Sequence, residues 1–263
     1  MVDKEGLKGQ LVKGLKLLHQ RITKRTPLRL EFGRAVEDLI ALAETLEHRV
    51  AEHAAELANR NQELKQARGK WQRDIEKALL VMALMAEARD PYIHGHHQRV
   101  AKLACAIAGE MGLSEEKIEG CRLASLAHDI GSVYIPSDLF LRPVPLVGTE
   151  LSVIEHHPWF GYHLLKKIEF PWPVARIVFQ HHERMNGYGY PLGISGEEIL
   201  VEARILGVAE VVDAITSRRP HRPVLSVDKA IEEISSGKGV LYDADVVDAC
   251  LRFLRKKGLN SSN

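Results

Sequence analysis

The side chains best suited to chemistry in this chain are histidines and carboxylates in its middle and later parts. Ten of the thirteen histidines lie between His94 and His221. The groups that stand out are His96, His128-Asp129, His156-His157, His181-His182-Glu183, Glu210 and Asp213. Imidazole and carboxylate groups bind divalent cations when several of them converge, because each offers a lone pair. The pattern therefore predicts a metal site with several ligands.

The composition fits a globular protein. The chain has 263 residues, of which 45% are hydrophobic, and this is enough to bury a core. Its 36 lysines and arginines are balanced by 35 acidic residues, so the net charge is +1. This balance gives no support to a nucleic-acid polymer as partner.

Cysteine content and hydropathy predict a cytoplasmic location. Cys105, Cys121 and Cys250 are odd in number and lie far apart in apolar segments, as expected of free thiols in a reducing compartment. The longest apolar run, 78–86, is about half of what a bilayer requires, and the N-terminus lacks a signal-peptide pattern. We therefore expect no membrane span.

The hydrophobic periodicity is helical almost throughout, which predicts an all-α fold. The predicted helices after the first ninety residues cover 96–111, 114–128, 150–168, 173–182, 203–216, 227–234 and 244–255. The segments 131–149 and 184–202 contain proline and glycine and are predicted to be loops. The candidate metal ligands lie at the edges of these loops.

The N-terminal region has the pattern of a long amphipathic helix. Apolar residues recur at heptad spacing in two seams. The first seam contains Val36, Val50, Leu57, Leu64 and Trp71. The second begins with Leu39 and Leu46 but continues with the polar residues His53 and Arg60, which weaken it. We expect a helix that pairs with a second copy or with a preceding module, and a single surface helix is the alternative. Pro91 ends the helical pattern. We divide the chain into a signalling region, 1–80, and a catalytic domain, 81–263.

Five segments together resemble the HD-GYP family, a branch of the HD phosphohydrolase superfamily. They are GHHQRVA from Gly95, HDIGSVYIP from His128, EHHPWFG from Glu155, HHERMNGYGYPLG from His181 and TSRRPHRP from Thr216. The resemblance covers about 85–255. It implies a helical bundle that uses two or three metal ions, commonly iron or manganese, to hydrolyse cyclic di-GMP to the linear dinucleotide or to GMP.

The resemblance also implies roles for individual residues. The metal ligands would be His96, His128, Asp129, His157, His181, His182 and Glu210, with Asp129 bridging the ions and the pair His128-Asp129 at the catalytic centre. Two ions are expected, because Tyr92 replaces the extra glutamate of three-metal members. Arg219 and Arg222 match positions that hold phosphates and guanines.

The GYGYP turn is the segment after which the family is named. Its Tyr190 is predicted to pack beside the site or to meet a partner protein, such as a diguanylate cyclase. Glu183 is predicted to orient a ligand histidine, as carboxylates commonly do at metal sites.

Hydrolysis of a phosphodiester is chemistry that such residues support. The substrate is anionic and repels hydroxide, so a catalyst must generate a nucleophile at neutral pH and neutralise charge on the phosphoryl oxygens. Two metal ions bridged by a carboxylate do both, by lowering the pKa of water toward ~7 and holding the attacking and leaving oxygens. Arginine suits the recognition of phosphate, because its planar fork binds two oxygens at once.

Three positions depart from the family pattern. Ser132 replaces a lysine that would contact the substrate phosphate, and the loss of such a contact costs ~1.5–3 kcal/mol. Glu210 replaces an aspartate, and Asp213, one helical turn later, is expected to substitute for it or to support it. His221 stands where an aromatic residue is expected.

These departures leave three hypotheses. The first is a working metal-dependent cyclic di-GMP phosphodiesterase. The second is a catalytically weak domain that senses cyclic di-GMP or contacts another protein. The third is a hydrolase of another cyclic dinucleotide.

Overall fold

The fold is built from helices alone in the part of the chain that the structure describes. The structure is a computed structural model, and it describes residues 13–18, 20, 27–89, 94–140, 148–217 and 224–260. Over these ranges there is no β-strand, and Lys238 and Tyr242 form an isolated bridge. None of the described helices has a stretch long and apolar enough to cross a bilayer. The prediction of an all-α fold is confirmed.

The chain divides into two compact units, Met1–Trp71 and Gln72–Asn263, and the boundary falls inside the long helix α1, Pro27–Glu87. In the first unit the apolar seam is largely exposed to solvent. The side chains of Leu39, Val50, Leu57 and Leu64 are between 55% and 67% exposed. The division at 80/81 into a signalling region and a catalytic domain remains a prediction.

The second unit contains the helices that surround the histidines. They are α2 (His96–Glu110), α3 (Glu115–Ala127), a 3-10 helix (Ile130–Tyr134), α4 (Ser137–Phe140), α5 (Thr149–Ile154), α6 (His157–Leu165), α7 (Val174–Gln180), a second 3-10 helix (Gly196–Glu198), α8 (Val201–Thr216), α9 (Val227–Ser236) and α10 (Ala244–Asn260). Helix α2 packs on α3, α8 and α10, whereas α6 packs on the first 3-10 helix and on α7.

The core lies where α2, α3 and α8 meet. Val100, Ile107, Leu123, Ile205 and Leu206 are completely buried there. Burying apolar side chains of this size stabilises a fold by roughly 1.5–3 kcal/mol each. The helix ends that carry the histidines are therefore attached to a rigid, well-packed core.

The start of α3 follows from its sequence. Ser114 precedes the helix, and its hydroxyl accepts a hydrogen bond from the backbone N–H of Lys117 at 3.4 Å. Glu115 and Glu116 occupy the first turn, where negative charge interacts favourably with the helix dipole. This N-terminus agrees with the prediction from the sequence.

The single helix predicted over 150–168 is wrong. The structure has two helices instead, α5 and α6, with a break at 155–156. Pro158 lies in the first turn of α6, a position that suits proline because no intrahelical bond to its nitrogen is needed there. The break makes His157 the first residue of a new helix, and its imidazole is turned toward the other histidines.

Gly131 allows the first 3-10 helix to approach α6 more closely than any other residue would. A Cβ atom at this position would lie 2.0 Å from the carbonyl oxygen of His157 and 2.5 Å from the amide nitrogen of Gly161. Backbone therefore packs directly on backbone. This contact fixes the distance between Asp129, at the start of the 3-10 helix, and His157.

Replacing Gly131 by alanine is expected to destabilise the domain. The added methyl group forces the two segments apart, which costs about 1–3 kcal/mol as overpacking. The measurement is thermal unfolding followed by circular dichroism. Gly109→Ala is the matched control, because a Cβ atom at Gly109 meets no atom within 4 Å. In a helix that change should instead add about 0.5–1 kcal/mol of stability. Equal Tm values for the two variants would contradict the role of Gly131.

Candidate metal centre

The carboxylate of Asp129 lies between two groups of imidazole nitrogens. Its Oδ2 atom is 3.2 Å from Nε2 of His128 and 3.8 Å from Nε2 of His96. Its Oδ1 atom is 3.3 Å from Nε2 of His157. Each oxygen therefore faces a different group, which is the arrangement that a bridging ligand requires.

The second group consists of His157, His181 and His182, whose ligand atoms lie within 4.8 Å of one another. Nε2 of His157 is 3.3 Å from Nε2 of His181. Glu210, in the middle of α8, adds a carboxylate, since its Oε1 atom is 3.7 Å from Nε2 of His182. All seven residues predicted as ligands thus come together around one cleft, and their role as ligands remains a prediction.

The histidines lie at helix ends, where the chain changes direction. His96 and His157 are the first residues of α2 and α6. His128 and His181 immediately follow the last turns of α3 and α7. A helix end leaves backbone groups without helical partners, and here those groups hold side chains in place.

Three imidazoles are held by carbonyl groups three residues earlier in the chain. Nδ1 of His128 lies 2.8 Å from the carbonyl oxygen of Ser125, and the corresponding distances are 2.9 Å for His157 and Ile154 and 2.6 Å for His181 and Val178. Because a carbonyl only accepts hydrogen bonds, Nδ1 must carry the proton. In the neutral ring, Nε2 then has the free lone pair, and it points into the site.

His96 is held by a carboxylate instead. Its Nδ1 is 2.7 Å from Oδ2 of Asp213, which also accepts a hydrogen bond from the Ser217 hydroxyl at 3.2 Å. The other oxygen of Asp213, Oδ1, accepts a hydrogen bond from Nε of Arg99 at 2.6 Å. Burial alone would raise the pKa of Asp213, but His96 and Arg99 lower it to about 2. Asp213 is therefore ionised and orients His96. Asp213 was expected either to replace Glu210 as a ligand or to support the site, and this geometry favours the second role.

Electrostatics at the site favours one anion among mostly neutral rings. Burial would raise the pKa of Asp129, but His128 and His157 hold it well below its usual range. Burial and the neighbouring histidines lower the pKa values of His181 and His182 well below the ordinary value. Burial opposes the charge on His128 too, yet Asp129 raises its pKa to about 9. Protons and metal ions therefore compete for Nε2 of His128.

The arrangement of donors fits divalent cations. The two Nε2 atoms of His96 and His128 face each other at 3.2 Å, and both rings already use Nδ1 as the donor. When His128 is neutral, as metal binding requires, two lone pairs face each other, and a cation near both relieves their repulsion. Metal–ligand bonds of ~2.0–2.2 Å separate two donors on one ion by at most about 4.3 Å, which matches the distances around Asp129.

An open cleft of about 270 Å³ leads to this centre. Its walls include Ser132, Phe140, Ile154 and Tyr190. Five of the seven predicted ligands also line it, namely His96, Asp129, His157, His182 and Glu210. The Tyr190 ring stacks on His182, with centroids 4.6 Å apart and planes at 25°. The other tyrosine of the turn, Tyr188, is 89% exposed. One ring of the GYGYP segment thus packs beside the site, as expected, and the other faces solvent.

Glu183 does not orient a histidine as predicted. Its Oε1 atom accepts a hydrogen bond from the backbone N–H of Leu192 at 2.7 Å. Burial raises the pKa of Glu183, and backbone hydrogen bonds from Leu192, Gly193 and Ile194 act in the opposite direction. Glu183 therefore braces the segment that follows the GYGYP turn. The sequence could not show this, because the contact depends on how that segment folds back.

Four positions discussed from the sequence lie outside the described residues. They are Tyr92, Arg219, His221 and Arg222. Their predicted roles remain predictions.

Sequence reasoning missed His97 and Glu87. His97 is fully buried, and its Nδ1 lies 2.8 Å from Oε1 of Glu87. Oε2 of the same carboxylate accepts a hydrogen bond from the backbone N–H of Gly95 at 2.7 Å. The signal that could have found His97 is the doublet His96-His97, which repeats the pattern of the doublet His181-His182.

Comparison with known proteins identifies a family and several relatives. The sequence profile of a family described as "HD domain" matches residues 34–246. The chain is 38% identical over 173 residues to the cyclic di-GMP phosphodiesterase response regulator RpfG of Xanthomonas campestris, covering 65% of this chain and 46% of the relative. It is 36% identical over 178 residues to a cyclic di-GMP phosphodiesterase of Thermotoga maritima, covering 67% and 48%.

The name of a third relative gives a different dinucleotide as its substrate. The 3'3'-cGAMP-specific phosphodiesterase 3 of Vibrio cholerae is 30% identical over 186 residues, covering 71% of this chain and 39% of the relative. The chain thus spans about half the length, or less, of the curated relatives it matches. Among solved structures, an HDG"Y"P protein from Bdellovibrio bacteriovorus superposes with a TM-score of 0.52 at 22% identity, covering 61% of this chain and 51% of that one. That likeness supports the fold.

Replacing Asp213 by asparagine is expected to weaken metal binding. The amide keeps the shape but loses the charge that fixes the Nδ1 proton of His96, and partners of this kind contribute 10- to 100-fold to metal affinity. The measurement is titration of the metal-free protein with Mn²⁺, with free Mn²⁺ followed by electron paramagnetic resonance. Asp228→Asn, at an exposed position of α9, is the control and should bind like the wild type. An unchanged affinity in Asp213→Asn would contradict the anchoring role.

Proposed function

The chain belongs to the HD domain family, and on that premise we propose that its site hydrolyses cyclic di-GMP with the help of two divalent metal ions, iron or manganese. The observation that carries this proposal is the position of Asp129. Its two carboxylate oxygens face two separate groups of imidazole nitrogens at the floor of an open cleft. A bimetallic phosphodiesterase requires this arrangement, because both ions must act on one phosphate.

The predicted ligands divide into two sets. His96, His128 and Oδ2 of Asp129 would hold one ion. His157, His181, His182, Glu210 and Oδ1 of Asp129 would hold the other. Bound ions would supply a water that loses its proton near neutral pH and positive charge for the phosphoryl oxygens.

The protein itself supplies orientation and shape. The Nδ1 anchors keep the Nε2 atoms directed into the cleft, and the ionised state of Asp129 favours cations at the floor. Tyr190 on the cleft wall offers an aromatic face beside His182, suited to a nucleobase or ribose. Arg219 and Arg222 are proposed to hold phosphates and guanines, as in the family that the sequence resembles.

The names of the relatives support a cyclic dinucleotide as the substrate class. Two of them are named as cyclic di-GMP phosphodiesterases and one as specific for 3'3'-cGAMP. We propose cyclic di-GMP as the substrate of this chain, and hydrolysis of another cyclic dinucleotide is a separate outcome of the test below. Binding without hydrolysis would favour the sensor.

Two protein contacts accompany this proposal. The exposed seam of α1 supports a homodimer, because side chains such as Val50 and Leu57 are more than half exposed and recur at heptad spacing. The exposed ring of Tyr188 in the GYGYP turn supports contact with a partner such as a diguanylate cyclase.

The wild-type protein, purified without oxygen and supplied with Mn²⁺ or Fe²⁺, is expected to convert cyclic di-GMP to linear products. Asp129→Ala should abolish turnover, since it removes the carboxylate that faces both groups of histidines. Chromatography of cyclic di-GMP, 3'3'-cGAMP and cyclic di-AMP reactions gives the measurement. Asp138→Ala, at an exposed position of α4, is the control and should retain activity. Tight binding of cyclic di-GMP without turnover under either metal would refute the enzyme in favour of the sensor.

Restoring a lysine at position 132 is expected to raise activity on cyclic di-GMP. Ser132 lines the cleft, and its backbone carbonyl already accepts a hydrogen bond from Arg89 at 2.5 Å, which any side chain at this position leaves intact. A charged phosphate contact is worth ~1.5–3 kcal/mol, so kcat/KM should increase by about 10- to 100-fold. Ser137→Lys, at an exposed position, tests whether added charge alone has this effect. No gain in Ser132→Lys would show that Ser132 does not limit the rate.

A further inference from the structure

We propose that His97 is an additional ligand of the metal centre, binding through Nε2 on the side of Asp129 Oδ2, and that Glu87 holds it in position. This inference deepens the proposed function and depends on it only for the presence of metal at the site. Neither residue belongs to the set of seven ligands predicted from the sequence.

The first argument is that His97 has the same hydrogen-bond pattern as the predicted ligands. In His96, His128, His157 and His181, Nδ1 is held by an oxygen and Nε2 points inward. In His97, Nδ1 is held by Oε1 of Glu87 at 2.8 Å. Glu87 is buried and also accepts hydrogen bonds from the backbone N–H groups of Gly95 and His97. These acceptor roles favour an ionised carboxylate, which places the proton on Nδ1 and the lone pair on Nε2.

The second argument is the environment of that lone pair. Nε2 of His97 is buried and has no hydrogen-bond partner among the described residues. A buried polar nitrogen without a partner destabilises the fold, so native structures supply one. The partner of the equivalent atom in the other histidines of the site is proposed to be a metal ion.

The third argument is distance. Nε2 of His97 lies 4.0 Å from Oδ2 of Asp129, the same oxygen that lies 3.8 Å from Nε2 of His96. Bonds of ~2.0–2.2 Å from one ion to both atoms span up to about 4.3 Å. The His97 ring is also next to that of His128, with centroids 4.9 Å apart. His97 lies outside the tightest group of His96, His128 and Asp129, so its ring must shift slightly to bind the same ion.

His97 is as deeply buried as two of the predicted ligands. His97, His128 and His181 are each 0% exposed, and the cleft is lined by shallower groups such as His96, His157 and His182. A ligand behind the first row of side chains closes the inner face of the centre, while substrate enters from the cleft.

The test is a Mn²⁺ titration of the metal-free full chain, with free Mn²⁺ measured by electron paramagnetic resonance. The main variant is His97→Gln, which keeps most of the volume and an N–H donor toward Glu87 but removes the imidazole. His97→Ala and Glu87→Gln are further variants. The matched control is the exposed pair on α1, His48→Gln and Glu52→Gln, whose side chains lie 3.3 Å apart far from any site residue in sequence.

The wild type is expected to bind two Mn²⁺ ions. His97→Gln and His97→Ala should lose about 10- to 100-fold in affinity at one of the two sites and keep the other. Glu87→Gln should change the same site in the same direction by a smaller factor. The control pair should bind like the wild type, and all variants should have the helical circular dichroism of the wild type before metal is added.

Three outcomes would overturn the inference. A folded His97→Gln protein that binds both ions with wild-type affinity would show that His97 is not a ligand. Loss of helical structure in metal-free His97→Gln would assign the Glu87–His97 pair to the stability of the fold instead. A wild-type protein that binds no Mn²⁺ and no Fe²⁺ would refute the proposed function itself, which the first two outcomes leave standing.

Discussion

The ionised carboxylate of Asp129 lies between two groups of imidazoles, most of them neutral, and the rest of the second unit is arranged around this contact. The pKa of Asp129 lies below its usual range because nearby groups stabilise the ionised carboxylate. His128 and His157 do so from the ends of two different helices. The close approach of backbone at Gly131 sets the spacing between α6 and the 3-10 helix that follows Asp129. If that spacing increased, the two oxygens of Asp129 could no longer face both groups.

The helix ends orient the histidine side chains of the site in the same manner. The four histidines at the starts or ends of α2, α3, α6 and α7 direct Nε2 inward because Nδ1 is occupied by an acceptor. Three of the acceptors are backbone carbonyl groups that the helix itself leaves available. The same local geometry therefore satisfies the backbone and orients the ring.

Much of this arrangement could be predicted from the sequence, and the exceptions have physical reasons. Helical periodicity predicted the all-α fold, and the resemblance of five segments to the HD-GYP family implied a set of ligands, including His128, Asp129 and His181, whose side chains the structure brings together. The helix predicted over 150–168 failed because periodicity continues through the break at 155–156. The partners of Glu183 and Glu87 could not be predicted, since both carboxylates bind backbone or side chains whose positions depend on the folding of a loop.

The two kinds of anchor differ in how they respond to mutation. A backbone carbonyl is present whatever the side chain, so substitutions at Ser125, Ile154 and Val178 leave the anchors of His128, His157 and His181 in place. His96 instead depends on the side chain of Asp213, which a single nucleotide change can remove. Three of these four rings therefore keep their anchors when the anchoring residue is substituted during evolution. The His96 side of the centre is the side that a single substitution can alter or inactivate.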